Sequence, residues 1–185
     1  SQGHIGRAKY IATNEHVRSN RKEILKSVTQ LNNVADAFKA AQRLVDIATE
    51  DAKAAAEIRD EKEQDELAQA YGKGATGRGM ASGGSKALKE LEKEQKTRTT
   101  RMVRDSLDAA LLDIATLFRD IMMVQSGHID ALINLELAQE INAIASVVPT
   151  HKTIQRLDAV MKARKALGFN AAPLLTIEAL MCALV

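Results

Sequence analysis

The sequence has few aromatic residues, few prolines and a single cysteine. Its 185 residues include no tryptophan, two tyrosines, three phenylalanines and two prolines. Sheets prefer β-branched and aromatic residues, and proline interrupts helices, so these absences favour helix over strand. Collagen-like and disulfide-rich secreted chains are excluded, because they need far more glycine, proline or cysteine. We therefore expect an all-α protein.

Two further absences bear on where the chain acts. The one cysteine, Cys182, lies in the apolar run 180–184 and has no partner in the sequence, so we expect a buried thiol and not a nucleophile. No apolar stretch approaches the ~20 residues of a membrane span, and residues 1–4 lack the basic-then-apolar pattern of a signal peptide. The sequence predicts a cytoplasmic protein that does not enter a membrane.

The sequence also lacks a catalytic or cofactor-binding constellation. Residues 72–77 spell G-x-G-x-x-G, but a dinucleotide site needs a strand before this motif and a helix directly after it. The histidines are scattered and form no metal-binding pair: His4, His16, His128 and His151. We expect no catalytic residue, no cofactor, no metal and no enzyme activity in this chain.

Charge alternates in blocks, although the formal net charge is only +2. The blocks 1–33, 34–71, 72–104, 105–148 and 149–185 carry net charges of +4, −5, +6, −6 and +3. Opposite charges attract at short range, so segments that are adjacent in the sequence are expected to lie beside each other in space.

Apolar residues at helical spacing predict two long helices, at about 34–71 and 85–125, with Ser85 as the N-cap of the second. Residues 72–84 between them hold six of the ten glycines and predict a flexible tip. The alternative is two separate solvated helices. An antiparallel hairpin would join residues whose numbers sum to about 156: Asp60 with Lys96, Glu63 with Lys93, Leu67 with Leu88, Leu44 with Leu112, and Phe38 with Phe118.

Shorter helices are predicted on both sides of the hairpin, which would be followed by a compact C-terminal helical bundle. The predictions are a helix at 15–31 capped by Asn14 or Thr13, a helix at 129–147, a helix capped by Thr150 with Gly168 just after its end, and a buried helix starting at Pro173.

A row of basic residues recurs at steps of three to five near the start of the second long helix: Lys86, Lys89, Lys93, Lys96, Arg101 and Arg104. Such a row can bind a phosphate backbone. However, the acidic stretch 57–66 is its neighbour in the predicted hairpin, and no aromatic residue lies among the six for base stacking. Neutralisation within the hairpin is the expectation, and a nucleic-acid-binding helical protein is the alternative function.

Three segments together resemble the clamp-loader branch of the AAA+ ATPases. Residues 1–8, Ser-Gln-Gly-His-Ile-Gly-Arg-Ala, are similar to the end of the lid domain, where a turn of small residues opens a helix. Residues 88–108 look like the delta prime subunits of actinobacterial DNA polymerase III. Residues 156–180, with an Asn-x-x-Pro turn at 170–173, resemble the last two helices of clamp-loader collar domains.

The resemblance implies a non-catalytic assembly module that helps to hold a clamp-loader ring together while the ring loads the sliding clamp on primed DNA. It implies that residues 1–13 are a remnant of the lid and that 14–185 form a helical collar domain that includes the hairpin. Arg7 matches a nucleotide-sensing position of the lid, but the rest of that site is absent from this sequence, so ordinary surface contacts are expected for it.

The same resemblance names partners. It implies that the collar binds the ATP-hydrolysing gamma/tau subunits and delta, and that DNA is reached only through the assembled loader. The parent assembly would be a DNA-directed DNA polymerase, whereas this chain alone would show no ATPase activity. Collar faces that partners normally cover can also pair with copies of themselves, so the sequence leaves open whether the isolated chain self-associates when those partners are missing.

Overall fold

The computed structural model describes residues 5–71 and 84–185, and every regular element in these ranges is helical. The fold is all-α, as the composition predicts. The predicted flexible tip and the G-x-G-x-x-G motif lie outside the described residues, apart from Gly84. The elements are α1 (Ile5–Thr13), α2 (Glu15–Thr29), α3 (Val34–Ala70), α4 (Gly84–Gln125), two 3₁₀ turns (Ile129–Ala131 and Leu135–Leu137), α5 (Ala138–Val147), α6 (Thr150–Gly168) and α7 (Pro173–Leu184).

The chain forms two compact units. The first unit comprises the residues up to Ile47 together with Leu107–Val185, and the second comprises Ala48–Ser106. One boundary falls inside α3 and the other inside α4. The predicted lid remnant 1–13 contains α1, which packs against α2 in the first unit.

The two long helices match their predicted positions within a residue. α4 begins at Gly84, so Ser85 is its second residue and not its N-cap. Asn14 caps α2 as predicted, because its side chain accepts a hydrogen bond from the backbone N–H of Val17. α3 buries mostly small side chains, which recur every three or four residues: Ala37, Ala40, Ala41, Leu44, Ile47, Ala48, Ala52 and Ala56.

The core of the first unit is built from large apolar side chains of six helices, including Leu44 of α3. α4 contributes the largest share, because its positions from Leu107 onward are buried at helical spacing. Its fully buried side chains are Leu107, Leu111, Ile114, Leu117 and Ile121, and they are joined by Leu25 of α2, Ile141 of α5, Val160 of α6, and Ile177 and Met181 of α7.

The predicted helix at 129–147 is wrong in its first half. Two 3₁₀ turns occupy this segment, and α5 begins only at Ala138. The cause is Asp120 of α4, which is fully buried and whose carboxylate accepts hydrogen bonds from the backbone N–H groups of Ile133 (2.9 Å) and Asn134 (2.8 Å). These amides are held by a distant side chain and are therefore not available to a helix.

The ends of α6 and α7 differ from the prediction in detail. Pro149 occupies the N-cap position of α6, so Thr150 is the first helical residue. Gly168 is the last helical residue, and the left-handed conformation that follows it belongs to Asn170, with φ of 63°. Pro173 begins α7 as predicted.

The prediction that α7 is a buried helix is wrong for one of its faces. Ile177, Leu180, Met181 and Leu184 are buried, but the side chain of Leu175 is 67% exposed and the thiol residue Cys182 is only partly buried. One face of α7 is therefore apolar and open to solvent.

Candidate functional site

Arg98 joins the two helices of the second unit. Its guanidinium forms ion pairs with the carboxylates of Asp60 and Glu63 on α3, and the Nη2–Glu63 Oε2 distance is 2.7 Å. Gln95 lies one turn earlier and is almost completely buried. Its amide donates to the backbone carbonyl of Asp60 (3.0 Å) and accepts from the amide of Gln64 (2.8 Å). The helices thus lie side by side in this unit, as the charge blocks predict.

The two predicted ion pairs of this hairpin are wrong. Asp60 and Glu63 do not pair with Lys96 and Lys93, since both carboxylates bind Arg98. The guanidinium of an arginine presents five N–H donors in a planar fork and can serve two carboxylates at once, which a lysine ammonium does less well. In the first unit, the predicted partners Phe38 and Phe118 differ in burial: Phe118 is buried, whereas Phe38 is 47% exposed.

The ion pairs change the acidity of Glu63. Hydrogen bonds from Arg98 and then from Arg59 stabilise the carboxylate and lower the pKa of Glu63 from an ordinary 4.5 to about 2. The same contacts raise the pKa of Arg98 above its ordinary value. Glu63 and Arg98 are therefore both charged at neutral pH, which suits a structural ion pair.

The predicted basic row lies along α4 with most of its side chains in solvent. Among residues 5–71 and 84–185, none of the six forms an ion pair with an acidic side chain, so the expected neutralisation within the hairpin is not found. Arg104 is the least exposed of the six, and its buried Nε has no hydrogen-bond partner in the described part of the chain. The exposed members are Lys86, Lys89, Lys93, Lys96 and Arg101.

A groove of about 600 Å³ runs along α4 next to this row. Its lining carries three basic and three acidic side chains together with Thr97 and Met102. Such a balanced lining offers no excess charge to a ligand, and we assign no small-molecule site to it. The charged residues are Glu90, Lys93, Glu94, Arg98, Arg101 and Asp105.

A second groove, of about 550 Å³, lies between α6 and α7, which pack against each other in the first unit. Its lining is almost entirely apolar and small, and Lys162 and Thr176 are its polar residues. Leu175 stands at this groove with most of its side chain in solvent. Seven alanines complete the lining: Ala159, Ala163, Ala166, Ala171, Ala172, Ala179 and Ala183.

Exposed apolar residues also occur in α6 and in the turn after it. Phe169, in the turn that joins the two helices, is 75% exposed. Met161 of α6 is 47% exposed, although methionine is usually a buried residue. Apolar residues that gather around a concave surface are typical of protein-binding sites, whereas single exposed ones are common everywhere. We call the groove together with Phe169 and Leu175 the α6–α7 surface.

The remaining sequence predictions concern single residues. Arg7 lies in α1, but its side chain is not among those that the structure describes. Within the described ranges, no three residues of histidine, cysteine, aspartate or glutamate are placed to hold a metal ion, and no helix has the length and apolar character needed to span a membrane.

Sequence reasoning missed Arg98 and the α6–α7 groove. Arg98 stands within the basic row and differs from it only by its offset of two residues from Lys96, a signal that spacing analysis could have used. The alanine content of 159–183 is visible in the sequence, but it does not reveal that the alanines from two helices meet in one groove. In comparisons with known proteins, the chain matches no protein-family model, no curated protein and no solved structure.

Proposed function

We propose that this chain is a non-catalytic assembly module of a clamp loader, of the delta prime type, and that it binds neighbouring subunits through the α6–α7 surface. The observation that carries the proposal is the alanine-lined groove beside the exposed Leu175 and Phe169. The identity of the partners rests on the resemblance of residues 1–8, 88–108 and 156–180 to clamp-loader subunits.

The geometry of the groove suits an α-helix as its occupant. Grooves between two helices accept the apolar face of a third helix, and small lining residues let the backbone of that helix approach closely. Burial of one leucine or phenylalanine side chain in such a groove contributes about 1.5–3 kcal/mol. The occupant that we propose is a collar helix of a gamma/tau or delta subunit that presents such side chains.

The proposal is tested by co-purification of the tagged chain with gamma/tau and delta subunits. Three forms are compared: wild type, Ala179→Glu in the groove, and Ala54→Glu as the matched control. Both alanines are exposed helical positions, so the two variants carry the same change in charge and helix propensity. We expect wild type and Ala54→Glu to retain the partners and Ala179→Glu to lose them, because a carboxylate would be buried against an apolar helix.

Two other outcomes would count against the proposal. Retention of the partners by Ala179→Glu would exclude the groove as the contact surface. Failure of the wild-type chain to retain either subunit would exclude the clamp-loader assignment itself. Circular dichroism of each variant would show that the helices are intact, and analytical ultracentrifugation would show whether the free chain pairs with itself through the same groove.

A further inference from the structure

The exposed lysines near the start of α4 form a continuous line. Lys86, Lys89, Lys93 and Lys96 follow the spacing i, i+3, i+7, i+10, which keeps side chains on one side of a helix. All four are exposed. We call them the lysine stripe. At 1.5 Å per residue the stripe is about 15 Å long.

A second line with the same spacing is offset from the stripe by two residues and contains Leu88, Leu91, Gln95 and Arg98. Two residues correspond to roughly 200° of rotation, so the two lines lie on opposite sides of α4. The second line faces α3, because Gln95 and Arg98 bind Asp60, Glu63 and Gln64 there. The lysine stripe therefore points away from the acidic helix.

This arrangement leaves the stripe without an ion-pair partner on α3. The two α3 carboxylates that the sequence pairs with Lys93 and Lys96 are both bound to Arg98. The four lysines form no ion pair within the described ranges. Three glutamates lie between Lys89 and Lys96, so the four lysines give residues 86–96 a net charge of only +1: Glu90, Glu92 and Glu94.

We infer that the lysine stripe binds the phosphate backbone of duplex nucleic acid without reading its sequence. Duplex DNA carries one negative charge per ~1.7 Å of axis, so a 15 Å length holds about nine phosphates on its two strands, and the side that faces the stripe offers phosphates to the ammonium groups. Lysine ammonium groups act as point charges, which suits backbone contact more than base recognition.

The stripe favours a duplex over a single strand. Single-stranded nucleic acid is held largely by stacking of its bases on aromatic side chains, and residues 84–104 contain no aromatic residue. This inference goes beyond the subunit binding proposed above. It uses other residues, and either proposal can fail without the other.

The test is fluorescence anisotropy of the whole chain with a labelled 30-base-pair duplex of arbitrary sequence, over 25–200 mM KCl. Four phosphate contacts predict a slope of log affinity against log salt of about −3.6, which is roughly a hundredfold loss of affinity between 50 and 200 mM. In the triple variant Lys89→Gln, Lys93→Gln, Lys96→Gln, the magnitude of the slope should fall by about 3 and the affinity at 50 mM by more than about tenfold.

The matched control replaces three exposed lysines of α2 and α3, namely Lys22, Lys26 and Lys39, with glutamine. It changes the net charge by the same amount and preserves helix propensity, because glutamine and lysine are similar in this respect. We expect its salt slope to equal that of the wild-type chain. Equal losses in both triple variants would overturn the inference, since they would indicate a general charge effect.

Three further results would also overturn it. One is the absence of binding up to about 10⁻⁴ M chain at 25 mM KCl, the weak limit of non-specific binding. Another is tighter binding of a single strand of equal length than of the duplex. The last is lysine-dependent binding to vesicles that contain phosphatidylserine combined with no binding to the duplex, which would assign the stripe to a membrane surface.

Discussion

Removal of the Asp120 carboxylate should be the most damaging polar substitution in the first unit. Asp120 is fully buried, and its Oδ2 accepts from three donors: the backbone N–H of Ile133, the backbone N–H of Asn134 and the side-chain amide of Asn134 (2.8 Å). Its Oδ1 accepts from the guanidinium of Arg119 at 2.7 Å. One carboxylate therefore fixes the segment between the two 3₁₀ turns.

The size of the effect follows from which donors can reach water. Asn134 is fully buried, so Asp120→Ala leaves its backbone N–H without an acceptor and its side-chain amide with only the 3.2 Å contact to Thr116. Each stranded buried donor costs about 1–3 kcal/mol, whereas Ile133 is about half exposed and can bind solvent. We expect a loss of roughly 3–5 kcal/mol, which corresponds to about 10 °C in Tm for a chain of this length.

The assay is urea unfolding at pH 7, followed by circular dichroism at 222 nm. Asp130→Ala is the matched control, because Asp130 belongs to the neighbouring 3₁₀ turn and is exposed, and it should cost less than about 0.5 kcal/mol. Asp120→Asn retains one acceptor oxygen and should fall between the two. A loss below about 1 kcal/mol for Asp120→Ala, or one equal to that of Asp130→Ala, would refute this account of the segment.

Two other predictions concern acid stability and a backbone conformation. Because the pKa of Glu63 is lowered to about 2, its ion pair with Arg98 stabilises the fold above pH 4.5 and is lost as the pH falls from 4.5 to 2. In an acid titration of helicity, the difference between wild type and Arg98→Met should shrink over this range, and a constant difference would contradict it. Asn170 has φ of 63°, so Asn170→Val should lower the free energy of unfolding by about 1–2 kcal/mol while Asn170→Gly leaves it nearly unchanged; equal thermal melts of the two variants would contradict this.

The long helices could be predicted from the sequence because their signals are local. Apolar residues at helical spacing mark both ends of 34–70 and of 84–125, and a glycine-rich segment separates the two ranges. The segment 129–137 could not be predicted in this way. Its composition of isoleucine, leucine and alanine is typical of a helix. However, two of its backbone N–H groups donate to Asp120, which lies 13 and 14 residues earlier in the chain.

The candidate surfaces also depend on contacts that the sequence alone does not reveal. Block charges indicate that α3 and α4 are neighbours, but they do not distinguish Arg98 from the lysines around it. Arg98 binds Asp60 and Glu63 because its side chain faces α3 and its guanidinium can serve two carboxylates. This pairing leaves the lysine stripe without an ion pair to α3. The α6–α7 groove likewise depends on how two helices pack, which the alanine pattern of either helix alone does not reveal.

The buried alanines of α3 make this helix sensitive to a kind of change that most protein interiors tolerate better. A core of leucines and isoleucines is damaged chiefly by truncation, because removal of methyl groups leaves cavities. Truncation of Ala37, Ala41 or Ala48 removes only one methyl group. Because these positions are buried, a larger side chain would overpack the interior. A survey of all single substitutions should therefore find valine, leucine and phenylalanine at these positions more damaging than glycine or serine, so side-chain size would set the tighter limit on sequence variation along this helix.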